Sequence, residues 1–278
     1  IYGSKPAGSP SAASVARRTT DKKQTQNITF FPNRMKKKFT FLPSVFLLLM
    51  AMLWISAAVH AQEEQLIRFH TNVPAKAKSS GIAAQVSFVL GATDGDMTVS
   101  IDCGAGEQEF DVKKAKVESD NGDISIKGSL FTGTVSDEGW VTITGAPDNL
   151  YFFNASGNEI DQIEFSSNLK LHVLNLEHNA LNALNIDRLQ TLNVIYLQDN
   201  PFTKSTPLMI GSMPELVVLE IPQIGHLSPD FTLRNFPKLR SFDAYHTLGL
   251  KAVDPTACPK LQRLINCPHV CEKMISKE

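Results

Sequence analysis

Residues 150–200 read LYFFNASGNEIDQIEFSSNLKLHVLNLEHNALNALNIDRLQTLNVIYLQDN, and the pattern L-x-x-L-x-L-x-x-N, with other apolar residues at some L positions, occurs three times within them. The three copies begin at Leu150, Leu171 and Leu192, and weaker copies begin at Leu216, Leu239 and Leu261. The pattern therefore recurs every 21 to 24 residues. A period of that length predicts a stack of structural repeats in place of an ordinary globular domain.

The spacing is the leucine-rich repeat signature. It predicts an α/β leucine-rich repeat solenoid of about six repeats, with a parallel sheet on its concave side and irregular or short helical turns on its convex side. The apolar positions of each copy are expected to point inward. The ninth position is occupied by Asn158, Asn179 and Asn200, whose side chains are predicted to hydrogen-bond backbone groups at the turn that leaves each strand.

Residues 62–147 show a different periodicity. Short runs such as QVSFVL, MTVSIDC, FTGTV and WVTIT alternate in polarity and are separated by turns rich in Gly and Asp. This pattern predicts a small all-β domain, an antiparallel sheet or β-sandwich, ahead of the repeats at 148–271 and a C-terminal tail at 272–278. The strand at 140–144 is predicted to cap the exposed end of the first repeat.

The segment before the β-domain has the order of a secretory leader. Met35 is followed by three lysines, an apolar run from Phe39 to Ala58, and the small-x-small sequence that ends at Ala61. This order predicts a signal peptide over 35–61 with cleavage after Ala61, and residues 1–34 are interpreted as upstream sequence outside the functional product. The alternative is an uncleaved membrane anchor, since the run approaches the length of about 20 residues that spans a bilayer. Cleavage predicts a secreted or periplasmic protein with no stable membrane insertion.

The charge of the predicted mature chain restricts its partners. Residues 62–278 hold 18 Lys and Arg against 27 Asp and Glu, which leaves a net charge of −9. An acidic surface repels phosphate backbones, so nucleic acid is not expected as a partner.

Three of the four cysteines lie close to the C-terminus. Cys258, Cys267 and Cys271 predict one disulfide among them, because a translocated protein folds where disulfides persist. A metal site from Cys267, His269 and Cys271 is the alternative, but the paired ligand spacing of structural zinc sites is missing. Cys103 alternates with apolar residues and is predicted to be a buried strand residue.

The 150–200 stretch resembles the internalin-type leucine-rich repeats of secreted bacterial proteins. With MTVSIDCGAGEQEF and GTVSDEGWVTITG before it, the chain resembles secreted or surface proteins of Bacteroidetes that carry a small β-domain ahead of their repeats. In that family the first segment usually reads I-D-W-G-D-G, and Cys103 and Ala105 here replace the Trp and the second Asp. The resemblance implies extracytoplasmic protein recognition or adhesion.

Projecting the repeat onto its sheet gives a predicted binding surface of acidic, aromatic and histidine side chains. The outward positions are Phe152, Asn154, Val173, Asn175, Glu177, His178, Val194, Tyr196, Gln198, Asp199, Val218, Glu220, Gln223, Ser241, Asp243, Tyr245 and His246. Within this set, Glu177, Tyr196, Glu220 and Asp243 are predicted to form a ladder. Like charges on neighbouring strands repel each other, so the ladder favours a basic protein or peptide as the partner.

No catalytic motif accompanies this surface. The chain has no H-E-x-x-H, G-x-S-x-G or G-x-x-x-x-G-K-[ST] segment, so the sequence predicts a non-enzymatic binding protein without a cofactor. The alternative function is a surface adhesin or glycan-binding protein in which the β-domain is responsible for recognition. An enzyme of another type would need a deep pocket with convergent polar groups. The sequence leaves the partner's identity and the oligomeric state open.

Overall fold

The computed structural model of the chain describes residues 64–120, 123–146, 148–250 and 258–265. All of these lie in one compact unit, Ser56–Glu278.

The regular elements within these residues are almost all strands. They are β1 (Glu64–Thr71), α1 (Val73–Ser80), β2 (Gln85–Ala92), β3 (Met97–Asp102), β4 (Glu107–Val112), β5 (Lys116–Asp120), β6 (Asp123–Lys127), β7 (Ser129–Thr134), β8 (Trp140–Gly145), β9 (Leu150–Asn154), β10 (Ile160–Phe165), β11 (Val173–Asn175), β12 (Val194–Tyr196), β13 (Val218–Glu220), a 3-10 turn (Leu233–Asn235), β14 (Ser241–Asp243) and β15 (Arg263–Ile265).

The predicted α/β leucine-rich repeat solenoid with a concave sheet is wrong. The protein is mostly β, with a β-solenoid arrangement in its C-terminal half. The one α-helix in the described residues has eight residues and precedes the repeats. Where the structure describes the segments between the parallel strands, they hold the strand β10, turns, isolated bridges and the 3-10 turn. Prolines such as Pro207, Pro214 and Pro229 remove backbone donors from these segments, which disfavours a helix.

The repeats form the parallel part of an eight-stranded sheet, in the order β15-β14-β13-β12-β11-β9-β2-β7. Equivalent residues of successive repeats pair directly across the parallel strands. The inward row consists of Phe153, Leu174, Ile195, Leu219 and Phe242, each with no exposed surface. Burial of a side chain of this size stabilises the fold by about 1.5–3 kcal/mol, so each residue of this row helps to hold successive coils together.

The first repeat is covered by β2. This strand pairs antiparallel with β9 and continues the sheet to β7. The segment 140–144, which the sequence predicts as the cap, instead forms β8 between β1 and β3 in the other sheet. Because β2 buries Val86, Phe88 and Leu90 on one face, it extends the apolar inner layer of the repeats.

A five-stranded antiparallel sheet, in the order β10-β1-β8-β3-β4, packs against this end of the larger sheet. The Phe69 ring lies 5.8 Å from the ring of Phe88 and 6.3 Å from that of Phe153, measured between centroids. Strands from the two predicted domains pair with each other, since β9 pairs with β2 and β10 pairs with β1.

Candidate functional site

Part of the predicted binding set lies in two rows on one face of the parallel sheet, which we call the outer face. The first row is Phe152, Val173, Val194, Val218, Ser241 and Arg263. The second row is Asn154, Asn175, Tyr196, Glu220 and Asp243. In-register pairing brings each residue next to its equivalent, because parallel strands lie about 4.8 Å apart.

A hairpin made of β5 and β6 covers the N-terminal part of the outer face. Phe152, Val173 and Val194 are only 4%, 2% and 5% exposed, and Ala115 and Ile126 pack against them. Phe152 therefore belongs to a small second core and is not an accessible binding residue. The sequence pattern could not reveal this cover, because the hairpin precedes Phe152 by more than 20 residues in the chain.

The base of the hairpin is attached to the end of β2. The Ala92 N–H donates to the Lys113 carbonyl (3.0 Å), and the Ala115 N–H donates to the Ala92 carbonyl (2.8 Å). Gly91 makes this close approach possible, because a Cβ at that position would lie 2.8 Å from the Ala115 Cβ. Backbone hydrogen bonds at its base and apolar contacts therefore both hold the hairpin against the sheet.

The C-terminal part of the outer face carries three of the predicted residues in register. Tyr196, Glu220 and Asp243 lie side by side on β12, β13 and β14, and each is half-buried. We call this set the acidic ladder. The sequence-based ladder placed Glu177 beside Tyr196, but Asn175 occupies that place and Glu177 lies two residues further along the chain.

Several second-row side chains also close the turn that follows their strand. The side-chain oxygens of Asn154, Asn175 and Asp243 each accept the backbone N–H two residues on, at 3.0 Å. This is an Asx turn, which uses the side chain as a backbone mimic. Glu220 has no such role, since the residue two positions after it is Pro222, which has no N–H.

A column of residues in the left-handed conformation follows the acidic ladder. Gly157, His178, Asp199, Gln223 and His246 occupy equivalent positions in successive repeats, with φ between 52° and 69°. Residues other than glycine rarely adopt this backbone conformation. The turn of the repeat requires it, and the turn therefore determines where His178, Asp199 and His246 lie. The glycine at 157 was the sequence signal for this column.

The remaining predicted residues lie around this turn. The His178 Nδ1 is 2.8 Å from a carboxylate oxygen of Asp199, and Gln198 donates to the same oxygen at 3.4 Å. The Glu177 carboxylate accepts a bond from the Asn175 amide at 2.8 Å. Tyr245 is 40% exposed and stacks on His246 with 3.8 Å between ring centroids. This stacked pair follows Asp243 in the chain and places an aromatic surface next to the acidic ladder.

The buried asparagines connect neighbouring coils. The Asn179 Oδ1 accepts the N–H groups of Asn158 (3.1 Å) and Ile160 (3.0 Å) from the preceding coil. The Asn200 Oδ1 accepts the N–H of Leu181 at 3.1 Å, and the Asn158 amide exchanges two bonds with the backbone of Ser87 on β2. These side chains thus satisfy backbone groups that would otherwise be buried without a partner.

The two described cysteines are free thiols. Cys258 is buried, its Sγ donates to the Leu233 carbonyl at 3.0 Å, and burial raises its pKa. Burial, with the nearby Asp102 charge, raises the pKa of Cys103 to about 11. Cys267 and Cys271 lie outside the described residues, as do the predicted leader at 35–61 and the alternative metal ligand His269.

An aromatic cluster lies on the five-stranded sheet. The Arg68 guanidinium lies 3.8 Å from the Trp140 ring centroid, and the His70 ring is 5.2 Å from the same ring at a steep angle. The His70 Nδ1 lies 2.6 Å from an Asp161 carboxylate oxygen, whose second oxygen accepts from Asn72 at 3.0 Å. All these side chains are partly exposed on one side of the sheet.

Within the described ranges, no three His, Cys, Asp or Glu side chains converge as metal ligands. No helix in these ranges has the length and apolarity to cross a membrane.

Comparison of the chain with protein-family models, curated proteins and solved structures finds no match.

Proposed function

We propose that this protein is a secreted, non-enzymatic recognition protein that binds a basic protein or peptide through the part of the outer face left open by the hairpin. The observation that carries the proposal is the in-register placement of Tyr196, Glu220 and Asp243 on neighbouring strands. Two carboxylates on adjacent strands repel each other, and a Lys or Arg from a partner would relieve that repulsion.

The surroundings of the ladder support a peptide-like partner. Val218 continues the apolar row beyond the hairpin and remains half-exposed, so it offers a contact for an apolar side chain. The stacked pair of Tyr245 and His246 lies at the turn that follows Asp243. Tyrosine provides contact area together with a hydroxyl group, a combination enriched at protein interfaces.

The test removes charge without changing shape. Glu220→Gln with Asp243→Asn keeps the side-chain volumes, and an asparagine at 243 can still accept the Tyr245 N–H as Asn154 and Asn175 do in their own turns. The control, Glu109→Gln with Asp230→Asn, changes the same charge at exposed positions outside the two rows. Both are compared with the wild-type full chain.

The probes are two matched sets of peptides that alternate apolar residues with either Lys and Arg or Asp and Glu. We expect the basic set to bind wild type and the control, and to bind the ladder variant at least about tenfold more weakly, a loss of about 1.4 kcal/mol. Equal binding of the basic set to all three proteins, or preferential binding of the acidic set, would refute the proposal.

The predicted leader supports export. N-terminal sequencing of the protein recovered from its producing cells tests this part separately, and the expected first residue is Gln62.

A second candidate is glycan binding on the five-stranded sheet, favoured by the aromatic cluster. Trp140 offers an aromatic surface, and Arg68, His70 and Asp161 surround it with groups that can hydrogen-bond hydroxyls. Binding to a glycan array that is lost in Trp140→Ala and kept in the ladder variant would favour this candidate. No binding to the array would exclude glycans of the classes displayed.

A further inference from the structure

We propose that a groove beside β10 binds an extended peptide segment, which adds to the five-stranded sheet as a further strand. We call it the β10 groove. Its walls are residues 161–166 on one side and residues 182–186, Arg188 and Leu189 on the other. None of these residues belongs to the acidic ladder, and one of them, Asp161, also lies in the aromatic cluster.

The backbone of β10 provides the first argument. This strand is the last of its sheet and pairs with β1 on one side only. The Ser166 N–H donates to the Leu66 carbonyl at 2.9 Å, and hydrogen-bonded pairs alternate along an antiparallel ladder. The backbone groups of Glu164 therefore face β1, whereas those of Ile163 and Phe165 face away from it.

These outward groups have no backbone partner within the described ranges. At the start of the strand the pattern is different, because the Ile160 carbonyl accepts the Ala180 N–H at 2.8 Å. The chain itself occupies the edge there and then diverges from it. A strand edge left open in this way is the template to which extended peptides add.

The shape of the groove provides the second argument. Two cavities of about 260 and 280 Å³ adjoin each other, since Ile163, Glu164 and Asn185 line both. Ile163, Ile186 and Leu189 are 8%, 1% and 1% exposed and give the groove apolar lining. Together the cavities are within the usual range of ligand sites, about 300–1,000 Å³.

The charges on the two walls indicate the occupant. Glu164 and Arg188 are exposed, lie on opposite walls and line the same cavity. Among the residues that the structure describes, neither side chain forms an ion pair or hydrogen bond. A guanidinium binds a carboxylate through two parallel bonds, and a carboxylate binds Lys or Arg. The occupant is therefore an extended segment with an apolar side chain between one acidic and one basic residue.

Selection from a phage-displayed library of random peptides of about nine residues, long enough to pair with the strand, tests the proposal on the full chain. We expect enriched sequences with an acidic and a basic residue flanking an apolar one. The selected peptide should bind Glu164→Lys with Arg188→Glu at least about tenfold more weakly. Exchanging the peptide's two charges should restore binding to that variant, which also shows that the variant is folded.

Two controls separate this site from the acidic ladder and from general charge effects. The ladder variant Glu220→Gln with Asp243→Asn, and the exposed pair Glu109→Lys with Arg234→Glu, should both retain the peptide. Absence of any enriched sequence, or equal affinity for wild type and the groove variant, would overturn the proposal.

Backbone addition is tested with N-methylated versions of the same peptide. Methyl groups on alternate amides remove donors from one edge of an extended segment only. We expect methylation of the edge that faces β10 to abolish binding and methylation of the other edge to have little effect. Equal effects of the two methylation patterns would show that the peptide does not bind as an added strand.

Discussion

Replacing Asn179 with alanine tests whether the buried asparagines hold successive coils together. Asn179 is 8% exposed and takes part in five hydrogen bonds. Its Oδ1 accepts two backbone N–H groups of the preceding coil, and its Nδ2 donates to the carbonyls of Ala155, Leu176 and Glu177 at 3.0 to 3.2 Å. Alanine removes all five bonds.

The expected loss follows from which backbone groups are left without a partner. The N–H groups of Asn158 and Ile160 lose their acceptor inside the protein, at about 1–2 kcal/mol each. The Ala155 carbonyl loses a donor, whereas the Leu176 carbonyl keeps the Asn200 amide at 2.9 Å. We therefore expect Asn179→Ala to lower the free energy of unfolding by about 3–5 kcal/mol.

Urea denaturation followed by circular dichroism measures this loss. Asn182→Ala, an exposed position in the same coil, should change the free energy of unfolding by less than about 0.5 kcal/mol. Asn179→Thr should lose less than alanine, because Thr247 occupies the equivalent position of a later coil and its hydroxyl donates to the Ile221 carbonyl. A loss below about 1 kcal/mol for Asn179→Ala, or one matched by Asn182→Ala, would refute the reasoning.

Three further changes test other features. Gln223→Gly should raise the free energy of unfolding by about 0.5–1 kcal/mol in urea denaturation, because Gln223 has a φ of 56°; an equal gain from Gln223→Ala would contradict the explanation. Ile126→Asp should release the hairpin from the sheet and make proteases cleave it faster. Val117→Asp, at a position 53% exposed, should leave the rate of cleavage unchanged, and equal cleavage of the two variants would argue against the packing of the hairpin on the sheet. Burial raises the pKa of the Cys103 thiol from 9.0 to about 11, so this thiol loses its proton at a lower pH in the unfolded chain than in the folded protein. The free energy of unfolding should therefore fall by up to about 2–3 kcal/mol as the pH rises from 9 to 11. Stability curves measured across pH 9 to 11 should be flatter for Cys103→Ala, and parallel curves would show that the thiol does not contribute.

The repeat period predicted which side chains point into the coils. Leu174 and Ile195 are fully buried, and Asn179 and Asn200 bond to the backbone of neighbouring coils. These features are accessible from sequence because they repeat with the chain. The same apolar or amide side chain at the same interval meets the same surroundings in each coil.

The class of fold was not predictable in this way. A return of 18 to 21 residues between parallel strands is long enough for a helix or for irregular turns, and the period is the same in both cases. The described returns hold the strand β10, turns, isolated bridges and one 3-10 turn, and prolines in the later returns remove backbone donors. The α/β class was therefore inferred from the repeat's usual form and not from residues that require a helix.

The accessible part of the outer face was also decided by the tertiary structure alone. Alternation along each strand correctly separates inward from outward positions, since it depends only on backbone geometry. Whether an outward residue meets solvent depends on other segments, as Ile126 over Phe152 shows. The pairing of β10 with β1, about 90 residues earlier in the chain, likewise makes β10 the edge strand of its sheet and leaves its other side open. Side-chain periodicity is a local property of the sequence, whereas these contacts between distant segments are selected by the packing free energy of the whole molecule.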